Sequence, residues 1–307
     1  MSLFRNNSSR QIAGLDIDGR FLAAVQAEDG RIERTASAEL PEGVIQNGEV
    51  SDVDALAAAL SDFASSAGLP KAVRAGVSNQ QIALRVVELP PIADERDLDA
   101  AVRFQAAEVI AMPPDESILD YQVAGSVEGP DGVTRTRVIL VAARRTMIES
   151  LTEALRKAGL KPQGVDLDAF AIVRMLAEDT PGPGLSKVFC HLGGVANLAI
   201  ATGRLCLFTR ALSTRWESEG AADELAGEIV VSIDSYMGAP GSVPVDQVVF
   251  SGPGAATEGL VAGLETQLGI PCTVGAALGG LDASVLSDEE DASRYTVAAG
   301  LALGAAA

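Results

Sequence analysis

Residues 11–27 read QIAGLDIDGRFLAAVQA, two apolar runs on either side of Asp18-Gly19. Tight turns between antiparallel strands favour residues that tolerate positive φ, as Asp and Gly do. The stretch therefore predicts a β-hairpin with strands over Gln11–Asp16 and Phe21–Ala27. The same arrangement returns at residues 188–201, VFCHLGGVANLAIA, around Gly193-Gly194. Because one strand–turn–strand element occurs twice, we expect two lobes built on a common plan.

Downstream of the first hairpin, apolar side chains recur at helical spacing. A helix is predicted from Ser51, with Leu56, Leu60 and Phe63 on one face and Gly68 as its C-terminal cap. The apolar run Lys71–Val77 then predicts a short buried strand. Strand, hairpin, helix and strand together indicate an α/β domain.

The middle of the chain predicts a separate compact unit. Its predicted elements are a strand at Ile82–Leu89, a helix from Asp94, strands at Leu119–Ala124 and Arg137–Ala143, and a helix with a Thr146/Glu149 capping box. Strand, helix, two strands and helix can fold as an insertion within a larger domain.

The α/β pattern resumes after this unit. The predictions are a helix over Asp166–Leu176, a linker at Pro181–Gly184, a helix through Leu225, Ile229, Ile233 and Met237, a strand at Gln247–Phe250 entering a glycine-rich turn, and a final small-residue helix, Tyr295–Ala306. This second half again begins with a strand, a glycine turn and a strand.

Composition excludes several classes of protein. The chain has 307 residues, 48% of them apolar and 21% charged, which is typical of a globular protein. Its net charge of −19 disfavours binding to nucleic acid or directly to a membrane. No apolar run approaches the roughly 20 residues that span a bilayer, and Met1–Arg10 lacks the apolar core of a secretory signal. The three cysteines have no Cys-x-x-Cys spacing, which indicates buried thiols in a reducing cytoplasm.

Several blocks of sequence resemble the PilM family of type IV pilus assembly proteins, relatives of FtsA with the actin-like ATPase fold. They are GLDI (14–17), LPEGVIQNGEV (40–50), ELP (88–90), AVRFQA (101–106), LDYQV (119–123), VAAR (141–144), VDLDAFA (165–171), SIDSY (232–236) and VVFSGPGA (248–255). The blocks cover nearly the whole chain and are specific in combination, although no single one is decisive.

The resemblance implies a two-lobed actin/Hsp70-like α/β fold with an FtsA-type insertion subdomain in the first lobe. The expected domains are the first lobe at 1–81, the insertion at 82–160, the rest of the first lobe with a linker at 161–185, and a second lobe at 186–307 with a shortened outer subdomain. It also implies a cytoplasmic scaffold at the inner face of the plasma membrane. There the protein would bind the N-terminal peptide of a PilN-like membrane protein and other platform components, and self-association is left open.

The resemblance further implies ATP and Mg²⁺ between the lobes. The site residues it suggests are Asp16 as the catalytic and metal-binding carboxylate, Asp18, Gly19 and Arg20 in the first phosphate turn, Gly193 and Gly194 in the second, Ser251, Gly252 and Gly254 in an adenosine loop, and Glu228 near the ribose. Phosphate turns offer backbone N–H groups, and Mg²⁺ prefers carboxylate oxygen. Phe104, Ile110 and Met112 are candidates for a peptide groove, with core positions as the alternative.

Two positions depart from the family pattern. Asp18 stands where the family usually has Gly and would repel phosphate unless a metal bridged them, although Arg20 could restore a positive contact. His191 replaces a family carboxylate, and imidazole is a poor ligand for Mg²⁺. We therefore expect a degenerate phosphate site and at most a weak ATPase. The only histidine could be catalytic, but no nucleophile motif accompanies it, so a core or cleft histidine is the preferred interpretation.

The alternatives are an active ATPase or kinase-like phosphotransferase of the same fold, and an FtsA-like cell-division protein. A kinase requires a general base near its acceptor, and the chain offers no clear candidate. FtsA relatives usually end in a membrane-seeking amphipathic helix, whereas the final residues here are small and uncharged.

Overall fold

The computed structural model describes residues 12–129, 131–178, 185–287 and 290–304. The chain divides into two compact units: one contains the residues up to Gln80 together with those from Ser150 onward, and the other is Gln81–Glu149. The smaller unit and the predicted insertion, 82–160, begin at adjacent residues. The division of the chain into functional domains stays a prediction. The predicted linker, 181–184, lies outside the described residues.

The larger unit begins with the hairpin that opens the sequence. Its first elements are β1 (Ala13–Ile17), β2 (Phe21–Glu28), β3 (Arg31–Glu39), β4 (Ile45–Gln46), β5 (Glu49–Val50), α1 (Val53–Ala67) and β6 (Ala72–Val77). β1 and β2 are antiparallel, with Leu15 opposite Ala24, which confirms the hairpin. α1 follows the N-cap Asp52 and ends at Gly68, whose φ of 60° is the left-handed conformation that a C-terminal cap requires.

The unit 81–149 is a three-stranded antiparallel sheet covered on one face by a helix. Its elements are β7 (Ala83–Leu89), α2 (Glu95–Val109), β8 (Ser117–Glu128), β9 (Thr134–Arg144) and the start of α3 (Arg145–Lys157). The strand order is β7-β9-β8, and Val102 and Ala106 of α2 join the core formed with Val87 and Leu140. The capping box at Thr146 was wrong, because β9 continues directly into α3 and Thr146 lies inside the helix.

The chain then returns to the larger unit. Its remaining elements are β10 (Lys161–Leu167), α4 (Asp168–Leu176), β11 (Ser186–His191), β12 (Asn197–Thr202), β13 (Leu205–Ala211), α5 (Ala221–Met237), β14 (Val245–Ser251), α6 (Leu260–Leu268), β15 (Cys272–Val274) and α7 (Thr296–Leu303), with short 3₁₀ helices at Pro253–Ala256 and Ala292–Tyr295. The predicted helix over 166–176 begins only at Asp168, because the residues before it form β10, parallel to β6.

Two five-stranded sheets with the same topology form the framework of this unit. The first has the order β3-β2-β1-β6-β10 and the second β13-β12-β11-β14-β15. In each, three consecutive strands pair antiparallel, and two later strands add in parallel to the first of them. The repeated hairpin thus belongs to a repeat of the whole sheet, which confirms two lobes on a common plan.

Helix α7 returns from the second lobe to the first. A Cβ at Gly14 of β1 would lie 2.0 Å from the Ala298 carbonyl oxygen, so the strand and α7 are in contact through backbone. Arg174 on α4 donates to the Gly300 carbonyl oxygen at 2.6 Å and forms an ion pair of 3.0 Å with Asp166. These contacts hold α7 against β1 and α4.

Candidate functional site

The turns of the two hairpins meet. The Asp18 carboxylate accepts backbone hydrogen bonds from Arg20 N at 2.9 Å and Phe21 N at 2.7 Å within its own turn. The same side chain accepts a third from Gly194 N at 2.9 Å, in the turn between β11 and β12. Asp18 therefore joins the first lobe to the second through donors that a phosphate group would also use.

Asp16 lies near the C-terminal end of β1, two residues before Asp18. Its side chain is 5% exposed, and burial raises the pKa of its carboxyl well above the usual value, with further contributions from Asp168 and Asp18. Burial also raises the pKa of Asp168 to about 8, followed by repulsion from Asp166 and Asp18. The sequence analysis did not single out Asp168 as a site residue. The only feature of the sequence that pointed to Asp168 was its place in the VDLDAFA block.

Asp168 is held close to the backbone of β6. A Cβ at Gly76 would lie 2.0 Å from Asp168 Oδ1, and that oxygen is buried without a hydrogen-bond partner. Among the residues that the structure describes, no three His, Cys, Asp or Glu side chains are arranged to hold a metal ion.

His191 is the last residue of β11. Its ring is 4% exposed, and Nδ1 lies 3.0 Å from Ser251 Oγ of the neighbouring strand β14. Burial lowers the pKa of His191 to about 4, against a smaller opposing effect of Asp18. The imidazole is consequently neutral at pH 7. Gly252 fits tightly here, because a Cβ on it would lie 2.9 Å from His191 Cε1.

The residue predicted to restore a positive charge is already paired. Arg20 Nη1 forms an ion pair with Glu217 Oε1 in the second lobe. The neighbouring Trp216, the only tryptophan in the chain, donates from Nε1 to the Gly193 carbonyl oxygen at 3.0 Å. A Cβ at Gly254 would lie 2.7 Å from two atoms of the indole ring, so the ring rests directly on the predicted adenosine loop.

Glu228, the ribose candidate, stabilises a turn. Its carboxylate accepts from Ser213 N at 2.8 Å and 3.1 Å and from Thr214 Oγ1 at 3.3 Å. A cavity of about 460 Å³ beside α5 is lined by Arg210, Ser213, Thr214, Asp223, Glu224, Gly227, Glu228 and Val231. Two further carboxylates of this helix, Asp223 and Glu224, make the cavity predominantly acidic.

The structure separates the three candidates for the peptide groove. Phe104 on α2 is 70% exposed, whereas Ile110 is 8% exposed and belongs to the core of the 81–149 unit. Met112 packs against that core. Of the three, Phe104 is the side chain that is mostly exposed to solvent.

The repeated five-stranded sheets, each with a turn directed at the other, define the class of this protein: a two-lobed actin-like ATPase fold. The model of the family described as "Type IV pilus assembly protein PilM" matches residues 14–196, more than half of the chain. The chain belongs to the PilM family of type IV pilus assembly proteins.

Solved structures agree with this assignment of fold. A chain of a "PilM-PilN type IV pilus biogenesis complex" superposes with a TM-score of 0.80 at 22% identity, covering 96% of this chain and 98% of that chain. The ethanolamine utilization protein EutJ of Carboxydothermus hydrogenoformans gives a TM-score of 0.52 at 11% identity, with 97% and 90% of the two chains covered. The cytoplasmic domain of EpsL, an inner membrane component of the type II secretion system of Vibrio cholerae, gives 0.50 at 16% identity, with 85% and 94% covered.

Among the described residues, no helix combines the length and the apolar character needed to cross a membrane.

Proposed function

We propose that this chain is a cytoplasmic scaffold of the type IV pilus platform that binds the N-terminal peptide of a PilN-like membrane protein. The observation that carries the proposal is the match over 96% of the chain to a protein solved in a PilM–PilN complex. The partner would hold the scaffold at the inner face of the plasma membrane. The net charge of −19 agrees with attachment through a protein rather than through anionic lipid.

Phe104 is the residue that we propose as an anchor for the peptide. Aromatic side chains dominate binding energy when a partner covers them, and Phe104 leaves most of its ring in water in the free protein. The face of α2 around it carries Asp97 and Glu108, with Arg103 adjacent in sequence and already paired with Asp99. A peptide with an apolar residue next to a basic one would complement this surface.

We propose that the chain does not hydrolyse Mg·ATP efficiently. Asp16 would be the metal-binding carboxylate, while Asp18 competes for the turn donors and Arg20 is neutralised by Glu217. The chain would then be at most a weak ATPase. Steady ATP turnover that disappears in Asp16→Asn would instead favour the active ATPase or kinase-like alternative.

Calorimetry with a synthetic peptide tests the scaffold function. The peptide is the N-terminal segment of a PilN-like protein from the same organism. We expect saturable binding to the wild-type chain and about tenfold or greater loss of affinity in Phe104→Ala, because truncating a buried aromatic anchor costs on the order of 2 kcal/mol. Val133→Ala is the matched control, since Val133 is an apolar residue of the same unit that is 52% exposed.

The possible outcomes distinguish an error in the proposed function from an error in the proposed position of the peptide groove. If the wild-type chain does not bind the peptide, the proposed function is wrong. If Phe104→Ala and Val133→Ala both bind like the wild type, the scaffold function stands and the peptide binds elsewhere.

A further inference from the structure

The Asp18 carboxylate occupies the position that a phosphate group would need. Turns that bind phosphate direct backbone N–H groups at the anion. Here three such donors, from Arg20, Phe21 and Gly194, converge on one carboxylate at 2.7–2.9 Å. A Cβ at Gly194 would lie 2.5 Å from the Asp18 carbonyl oxygen and 2.8 Å from Oδ1, so little space separates the two turns. A phosphate would have to displace a negative group from its donors.

Trp216 covers the loop predicted to receive adenosine. Its indole ring lies on Gly254 and is fixed by the hydrogen bond from Nε1 to the Gly193 carbonyl oxygen. A glycine loop admits a planar base because it has no side chains in the way. In this chain the planar group above Gly254 is the protein's own indole. A nucleotide base would compete with it for the same surface.

Three more contacts join the lobes around this point. Arg20 pairs with Glu217, next to Trp216. Gln80 Nε2 donates to Ser213 Oγ at 2.7 Å, and Asn197 Nδ2 donates to Ser78 Oγ at 2.9 Å. Each contact has one partner in the first lobe and one in the second. Together with the Asp18–Gly194 hydrogen bond they form four polar contacts between the lobes, which we call the interlobe contacts.

We infer that the chain's own Asp18 carboxylate and Trp216 indole occupy the cleft, and that Asp18, with the other interlobe contacts, holds the lobes closed without a nucleotide. The residues present therefore do not fit ATP as the fold would otherwise bind it. The inference rests on the part of the proposed function that describes a degenerate nucleotide site. It names the groups of the chain that fill that site. It predicts a scaffold whose partner surface is formed whether or not ATP is present.

Titration with Mg·ATP tests whether Asp18 blocks the site. The emission of Trp216 reports binding directly, because no other tryptophan contributes, and calorimetry gives an independent measure. We expect no saturable response from the wild-type chain at millimolar Mg·ATP. Asp18→Gly frees the three donors and removes the charge, so we expect saturable binding, with a dissociation constant at least tenfold below the highest Mg·ATP concentration tested on the wild type.

Hydrogen exchange tests whether Asp18 also holds the lobes together. Asp18→Asn keeps the size of the side chain, but its amide nitrogen cannot accept the hydrogen bond from Gly194 N. We expect at least tenfold faster exchange of the 193–197 amides in this variant, and the measurement does not depend on Asp18→Gly folding well. Gln80→Ala is the matched control: it breaks one interlobe contact outside the phosphate position, so it should create no affinity for Mg·ATP.

The inference is overturned if the wild-type chain binds Mg·ATP at micromolar concentration with a change in Trp216 emission and Asp18→Gly binds no more tightly. It is also overturned if the 193–197 amides exchange equally fast in the wild type and Asp18→Asn. Peptide calorimetry is a separate measurement: loss of peptide binding would remove the scaffold function and leave the occupied cleft unaffected.

Discussion

His191 and Ser251 meet at the ends of β11 and β14, where the second lobe faces the cleft. Because the imidazole is almost fully buried, its surroundings favour the neutral form and lower its pKa to about 4. The same burial has the opposite effect on the Asp16 carboxyl, whose pKa rises. Both groups are therefore driven toward their uncharged forms, as expected where charge is poorly solvated.

The first prediction concerns the pH dependence of stability. The folded-state pKa of His191, about 4, is below the ordinary value of 6.5, so on acidification the unfolded chain takes up the proton first. The contribution of His191 to stability is complete above pH 6.5 and is lost as the pH falls toward 4, by about 3 kcal/mol in total. Urea unfolding at several pH values should show this loss.

His191→Asn separates this effect from the titration of the carboxylates. The asparagine side chain does not titrate, so the variant should lose less stability than the wild type as the pH falls from 6.5 to 4. Parallel stability profiles for the two proteins would contradict the prediction, even if the variant were less stable at every pH.

At the scale of elements, two helix glycines have opposite surroundings. Gly300 in α7 faces α4 so closely that a Cβ would lie 2.2 Å from the Ala171 carbonyl oxygen. Gly227 in α5 is exposed, and a Cβ there would have no neighbour within 4 Å. Both cost helix stability relative to alanine, but only the first allows two helices to approach through their backbones.

The second prediction is that the same substitution has opposite signs at these positions. Gly227→Ala should raise the free energy of unfolding by about 0.5–1 kcal/mol through helix propensity. Gly300→Ala should lower it by about 1–3 kcal/mol, because α7 must move away from α4 to make room. Chemical denaturation of the two variants beside the wild type measures both changes. Equal shifts in the same direction would be inconsistent with the packing of α7.

At the scale of the whole molecule, the dominant electrostatic fact is an excess of negative charge. The chain carries 42 acidic and 23 basic side chains. Mutual repulsion among surface carboxylates favours expansion of the chain, and this cost falls when salt screens it. Ion pairs such as Lys157–Asp54, at 2.8 Å, offset only part of the repulsion.

The third prediction is that the melting temperature rises with ionic strength. Between about 0.01 M and 1 M sodium chloride the Debye length falls from about 30 Å to about 3 Å, which removes most long-range repulsion between surface charges. Calorimetric scans across this range should show a monotonic increase. A decrease would mean that the attractive ion pairs outweigh the net charge. Choline chloride is the control for specific binding of sodium.

Local sequence rules predicted the elements whose causes are local. The turn at Asp18-Gly19 and the Gly68 cap of α1 follow from residue preferences over a few positions, and the structure has them as predicted. The repeated strand–turn–strand pattern likewise predicted two lobes. The family resemblance then supplied the fold to which the separate patterns belong, and the PilM family model confirms it.

Other features were decided only by tertiary contacts. β10, KPQGVDL, has no strand periodicity, and it forms because β6 offers an edge for parallel hydrogen bonds. The hydrogen bond between Asp18 and Gly194 joins residues 176 positions apart, so it could not be predicted from a local sequence pattern. The sequence by itself determined the two turns and the acidic residue in the first. That this residue binds the opposite turn follows only from the folded arrangement of the lobes, because hydrogen-bond partners are set by distance in space.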